Sequence, residues 1–219
     1  MEQGEKSMAV KPGFSRKKKR PRGKCTKGEA IMAAKKETEY ITHAFEPVFD
    51  SHSKILMLGT MPSPKSRENG FYYGHPRNRF WKVIADVCKE PMPETIEEKK
   101  ALALKHGIAI WDVLAGCEIH GADDASIKNP TPNDMHRILD YAPIEQIYAT
   151  GTKAAQLYRR YCEAQTGMEI IQLPSTSPAN CRTSYEQLYE AYAGIRLYLW
   201  SDIHDQGRKS QPFNSIFKK

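Results

Sequence analysis

Short apolar runs alternate along the chain with segments whose apolar residues recur at helical spacing. Ile55–Leu58 is a continuous apolar run closed by Gly59, and Ile108–Val113, Ile144–Ala149 (closed by Gly151) and Met168–Leu173 repeat the pattern. Runs of that length bounded by turn residues read as strands buried on both faces. Between them lie helical stripes: Phe80, Val83, Ile84, Val87 and Cys88; Ala154, Leu157, Tyr158, Tyr161 and Cys162; Tyr185, Leu188, Tyr189, Tyr192, Ile195 and Leu199. Pro132–Tyr141 reads as a further helix with proline in its first turn. The alternation predicts an α/β fold, three layers α/β/α, with a mainly parallel central sheet of about four strands. No internal repeat is visible.

The ends depart from this pattern. Residues 1–38 carry 12 Lys and Arg against 4 Asp and Glu, whereas the remaining residues carry 21 against 22. The net charge of +7 therefore belongs to the N-terminal segment. Its stretch from Lys11 to Lys24 is polybasic with almost nothing apolar, and reads as disordered. Such a run is a DNA-contacting arm, a nuclear-import signal or a solubilising tail. Residues 201–219 are polar and read as a flexible tail. A catalytic domain is thus expected over residues 39–200.

The five cysteines, Cys25, Cys88, Cys117, Cys162 and Cys181, are odd in number and widely spaced. They suggest neither a disulfide framework nor a zinc ribbon nor an iron–sulfur cluster, so no metal or cofactor is expected. No apolar run approaches the ~20 residues that span a bilayer, and the N-terminus lacks a signal-peptide core. A soluble protein is expected, without a membrane partner and inside the cell, in the cytoplasm and nucleoid of a prokaryote or the nucleus of a eukaryote.

Two loops follow predicted strands, where open α/β sheets place their ligands. The first runs from Gly59 through Thr60, Met61, Pro62 and Ser63 to Tyr73, His75, Asn78 and Trp81. It has no repeated pattern until Asn78, and a loop that long inside a domain is usually functional. Its aromatic, glycine, proline and amide residues suit stacking a base and bonding its edge; as ordinary loop residues, Tyr72, Tyr73 and Trp81 would fill core. The second loop is Leu173-Pro-Ser-Thr-Ser-Pro-Ala-Asn-Cys181. Asp112 ends a strand and either orients water or caps the following turn. Thr150-Gly-Thr-Lys153 either presents N–H groups to a phosphate or forms a plain turn with Thr152 as N-cap.

The string Tyr73-Gly-His-Pro-Arg-Asn-Arg-Phe-Trp-Lys-Val-Ile84 resembles the mismatch-specific uracil and thymine DNA glycosylases. Gly59-Thr-Met-Pro-Ser63 is similar to their Gly-Ile-Asn-Pro-Gly, and Leu173-Pro-Ser-Thr-Ser-Pro178 to their second motif. With Trp111-Asp-Val-Leu114, and Ile127 after Asp124, the whole pattern most resembles the DNA-deoxyinosine (hypoxanthine) glycosylases of the uracil-DNA glycosylase superfamily. The likeness covers roughly residues 39–200.

The resemblance implies a monofunctional glycosylase that extrudes a deaminated nucleotide and hydrolyses its N-glycosidic bond, leaving an abasic site. By motif position Gly59, Thr60, Met61, Pro62, Ser63 and Tyr73 would bind the base. Ser175, Thr176, Ser177, Pro178, Ala179, Asn180 and Arg182 would meet the DNA backbone or fill the gap in the duplex. Met61 stands where the mismatch-specific enzymes carry the asparagine that positions water, and a thioether is only a weak acceptor. Asn78 is the nearest substitute, with Asp112 as a second catalytic candidate; His75 is read as structural. A uracil- or thymine-removing enzyme and a non-catalytic DNA-binding protein are the alternatives. DNA is the expected partner of a monomer. The spacing of Phe213, Ile216 and Phe217 resembles a sliding-clamp peptide, displaced by one place at Gln211.

Overall fold

The computed structural model describes residues 39–199. The expected basic arm and the clamp-like tail lie outside the described residues. In chain order the elements are β1 (Glu39–Thr42), β2 (Ile55–Gly59), α1 (Pro64–Glu68), α2 (Phe80–Cys88), α3 (Ile96–Lys105), β3 (Ile108–Asp112), β4 (Leu114–His120), β5 (Asp123–Pro132), α4 (His136–Leu139), β6 (Gln146–Thr150), α5 (Thr152–Tyr161), α6 (Glu163–Thr166), β7 (Ile170–Leu173), α7 (Tyr185–Ala193) and α8 (Arg196–Leu199).

The predicted sheet is there. Its four strands run in the order β3-β2-β6-β7, each pair parallel. Ile55, Leu56, Met57 and Leu58 have no exposed surface, and every residue of β3 is buried. Burial on both faces is why these strands are apolar throughout and do not alternate. The register Gly59↔Asp112 brings two strand ends side by side.

Helix α2 has the predicted apolar stripe, and Phe80, Trp81, Val83, Ile84, Val87 and Cys88 are all buried. It stops at Lys89, which adopts a left-handed conformation (φ 58°), with Pro91 two residues on. Helices α3 and α7 start with capping boxes, Thr95 with Glu98 and Ser184 with Gln187.

Two readings need correction. The segment 132–141 is not one helix: Pro132 ends β5, and only His136–Leu139 is helical. Pro132 is instead paired with Leu114 at the end of an antiparallel ladder. A second sheet, β1-β4-β5, was not predicted at all. Its strand β5 is largely exposed and contains Asn129 at φ 47° and two prolines, and the ladder with β4 shifts register three times. Such a ribbon lacks the alternation that marks a strand.

Candidate active site

A pocket of about 300 Å³ opens at the carboxyl ends of the parallel strands. That is the small end of ligand pockets and suits one extruded nucleoside. The two long loops meet there, as their positions after β2 and β7 require. Gly59, Thr60, Met61, Pro62, Ser63, Tyr73, Asn78 and Asp112 all line it. So do Ser175, Thr176, Ser177, Pro178 and Ala179. Asn180 and Arg182 do not reach it. Asn180 is an internal brace, its amide donating to the Ser175 carbonyl (2.8 Å) and to the Thr183 hydroxyl (3.0 Å). Arg182 is exposed beside it.

Asp112 is buried, with its side chain 6% exposed. Its Oδ2 lies 2.8 Å from Nε2 of His43. Its Oδ1 lies against Gly59: a Cβ built there would sit 2.2 Å from that oxygen and 3.4 Å from the Tyr73 hydroxyl. Gly59 is therefore glycine to make room for a carboxylate that reaches across from β3.

Tyr73 holds a backbone conformation rare outside glycine (φ 52°), the kind of local strain that collects at functional sites. One ring face stacks on Phe80, centroids 3.7 Å apart and nearly parallel. Thr150 gives its single hydroxyl proton to the Leu58 carbonyl (3.2 Å), so Tyr73 donates to Thr150 at 3.0 Å. Burial holds the Tyr73 phenol well above its ordinary pKa, as does the nearby Asp112 charge, against a smaller opposing effect of the Thr150 bond.

Asn78 uses its side-chain carbonyl on the Phe80 N–H (2.9 Å), a bond that fixes the start of α2. The amide NH₂ is thus the end left for the pocket. That orientation suits a donor to an acceptor on the base better than an acceptor for water. His75 accepts the Arg77 N–H at 3.0 Å, within a tight turn whose other bond runs from the Asn78 N–H to the His75 carbonyl. His75 also lines the pocket.

Arg79, next to Asn78, joins the two loops. Its N–H donates to the Thr176 carbonyl, and its guanidinium donates to the carbonyls of Thr183 (2.7 Å) and Asn180 (2.9 Å). Thr176 is 1% exposed and anchors the loop through its backbone. Gly151 precedes α5 at φ 123°, and a Cβ there would lie 3.2 Å from Cβ of Ser175. The N-cap position is Gly151, not Thr152, and the close approach of β6 to the second loop is its reason.

Sequence reasoning missed three residues: His43, Arg79 and Asp124. Asp124 comes from the unpredicted ribbon, lines the pocket and accepts from the Thr60 hydroxyl at 3.2 Å. Removal from water raises its pKa, and Thr60 and Lys153 oppose the shift. Arg79 lay within the quoted motif, but nothing in the sequence says where its guanidinium goes. His43 had no signal; it sits just past a four-residue strand that was not read. Among the described residues no group of three or more His, Cys, Asp or Glu side chains could hold a metal. No described helix is long and apolar enough to cross a membrane.

Comparison with known proteins places this geometry in a class. Residues 46–195 match the model of the uracil DNA glycosylase superfamily. The chain belongs to that superfamily. It is 34% identical over 158 residues to a hypoxanthine DNA glycosylase of Methanosarcina acetivorans, covering 71% of this chain and 99% of the relative. A protein of the same name from Methanosarcina barkeri is 32% identical over 140 residues, covering 64% and 88%. A solution NMR structure from Methanosarcina acetivorans, described as a candidate uracil DNA glycosylase, superposes with a TM-score of 0.64 at 30% identity, covering 73% of this chain and 99% of that one.

Proposed function

We propose that the chain is a monofunctional DNA-repair glycosylase that excises hypoxanthine, with Asp112 as its catalytic carboxylate. The observation that carries the reaction is the buried Asp112 carboxyl residue lining the pocket, on the strand beside the one that leads to Met61. The substrate follows from the two relatives named for hypoxanthine and from the thioether at the position of a water-holding amide.

In the reaction the bond from sugar C1′ to base N9 breaks, and its electron pair leaves on the base. The sugar becomes cationic, water adds at C1′, and the water proton passes to the carboxylate and on to solvent or base. An anion fixed in a dry pocket stabilises that cation and orients the water without reorganising. The departing base is negative, and hypoxanthine presents O6 and N7 as acceptors. The Asn78 NH₂ and the backbone N–H groups of Met61–Ser63 are the donors that suit them. Tyr73, with one face on Phe80, offers the other to the base. Ser175, Ser177 and the backbone N–H groups of the second loop serve the flanking DNA, through hydroxyl and N–H contacts to phosphate. The enzyme would act as a monomer inside the cell. A clamp contact would depend on the C-terminal tail.

The test is single-turnover cleavage of duplexes bearing inosine, uracil or thymine opposite each base. Inosine should be cleaved fastest, and Asp112→Asn should lose about 10²- to 10³-fold on it while still binding DNA. A faster rate on uracil or thymine would transfer the assignment to the mismatch-specific branch.

A further inference from the structure

His43 lies three residues ahead of the span matched by the superfamily, in a segment that carries no motif. We infer that His43 is a positioning residue for Asp112: it holds one carboxylate oxygen with an N–H and so aims the other into the pocket. This rests on the assignment of Asp112 above.

The imidazole is fixed at both nitrogens. Its Nδ1 accepts the Phe45 N–H at 3.2 Å. The ring proton is therefore on Nε2, which faces Asp112 Oδ2 at 2.8 Å. The backbone is tied as well, the His43 N–H donating to the Ala115 carbonyl at 2.7 Å. The ring sits among Phe45, Tyr72 and Trp111, with centroids 5.9, 5.9 and 6.5 Å away. Both partners are nearly closed to water, at 5% and 6% exposure, so solvent does not compete for the bond.

The other side of the carboxylate explains why such a bond matters. The ionisable groups that feel its charge are the phenols of Tyr72 and Tyr73 and the carboxyl of Asp124, from three different segments. Tyr72 gives its proton to the Glu46 carbonyl and Tyr73 gives its own to Thr150, so neither spends it on Asp112. Asp124 repels it. Among the described residues His43 supplies the one side-chain hydrogen bond to this carboxylate. A carboxylate without such a donor is free to rotate. Rotation takes the negative oxygen from the place where the sugar becomes cationic.

The test is single-turnover cleavage of inosine duplex by the full chain, with His43→Phe, His43→Gln and Asp112→Asn. His43→Phe fills the aromatic cage without an N–H. It should cleave about 10- to 100-fold more slowly, the range for losing a partner that orients a reactive group. Its affinity for the duplex should stay within about threefold. His43→Gln can place an amide N–H on the same oxygen and should recover most of the rate. A wild-type rate in His43→Phe, with Asp112→Asn inactive, overturns the role of His43 alone. Near-normal activity in Asp112→Asn overturns the reading beneath it. If His43→Phe does not fold, ¹⁵N shifts of the wild-type ring decide: a proton on Nε2 is expected, and one on Nδ1 overturns the proposal.

Discussion

The two sheets of this chain contribute to one pocket in different ways. The parallel sheet supplies positions: Gly59, Asp112 and Thr150 stand at the ends of neighbouring strands, and β7 leads into the second loop. The antiparallel ribbon supplies partners to those positions. His43 follows β1 and binds Asp112; Asp124, the second residue of β5, binds Thr60. In the first sheet β2 and β3 are buried on both faces and tolerate little. The second is exposed along β5 and bends at its bulges. A rigid layer thus places the reactive groups, and a looser one sets their hydrogen bonds.

Two glycines sharpen that contrast, and the first gives the largest effect. In Gly59→Ala the new methyl would need the space of Asp112 Oδ1, 2.2 Å away, on a carboxylate already held by His43. We expect a loss of about 10²- to 10³-fold in single-turnover rate, with roughly 1–3 kcal/mol of stability from overpacking. In Gly116→Ala, on β4, the methyl meets the Tyr40 hydroxyl at 2.7 Å and the Ile41 carbonyl at 3.2 Å. Tyr40 is 55% exposed and can swing away. That variant should lose about 1 kcal/mol and keep its cleavage rate. Equal effects on rate in the two variants would show that the parallel layer has no special hold on the site.

The same contrast decides what could be read from sequence. The apolar runs of β2 and β3 are legible because burial on both faces demands them. The stripes of α2, α5 and α7 are legible because one face packs on the sheet. Helix α3 buries only Leu102 and Ala103, so its stripe is faint, although the box Thr95-Ile-Glu-Glu98 was there to be found. The ribbon has polar strands, prolines and irregular register, and Pro132 mimics the start of a helix. At the site, loop composition and motif order indicated which residues line the pocket. They could not indicate pairings across 69 residues, as between His43 and Asp112, or the 104 that separate Arg79 from Thr183. Only the tertiary fold creates those.

Asn78 stands on the parallel layer's side of the divide and should give the next largest effect. Its side-chain carbonyl accepts the N–H of Phe80, the first residue of α2, and its NH₂ is left for the pocket. Asn78→Ala should therefore do two separable things. Stability falls by ~1 kcal/mol from the lost hydrogen bond. The rate falls by about a hundredfold at a temperature where the variant is fully folded, because a donor to the leaving base is gone. A donor to the leaving group matters less when the base is a better anion by itself. The rate defect should shrink on a duplex whose damaged base is more acidic than hypoxanthine. A defect of equal size on both substrates would instead place Asn78 on the sugar or the water.

The smallest effect belongs to the ribbon's own carboxylate. Desolvation at the pocket wall raises the Asp124 pKa, the charges of Asp112 and Asp123 add to it, and Thr60 and Lys153 oppose it. A raised carboxyl binds its proton more tightly in the folded chain than in the unfolded one. Its contribution to stability is full below the unfolded value, near 4, and is lost as pH rises through the higher folded value. At neutral pH the charged form is therefore a penalty that the fold carries. Asp124→Asn removes the charge and keeps an oxygen for the Thr60 hydroxyl. The variant should match wild type in melting temperature at about pH 4 and exceed it at neutral pH. Because Asp124 keeps much of its surface in water, solvent screening holds the gain below about 1 kcal/mol, or roughly two degrees. A variant that melts below wild type at neutral pH would mean that the Asp124 charge is used by the fold, through Lys153 or Thr60, and does not burden it.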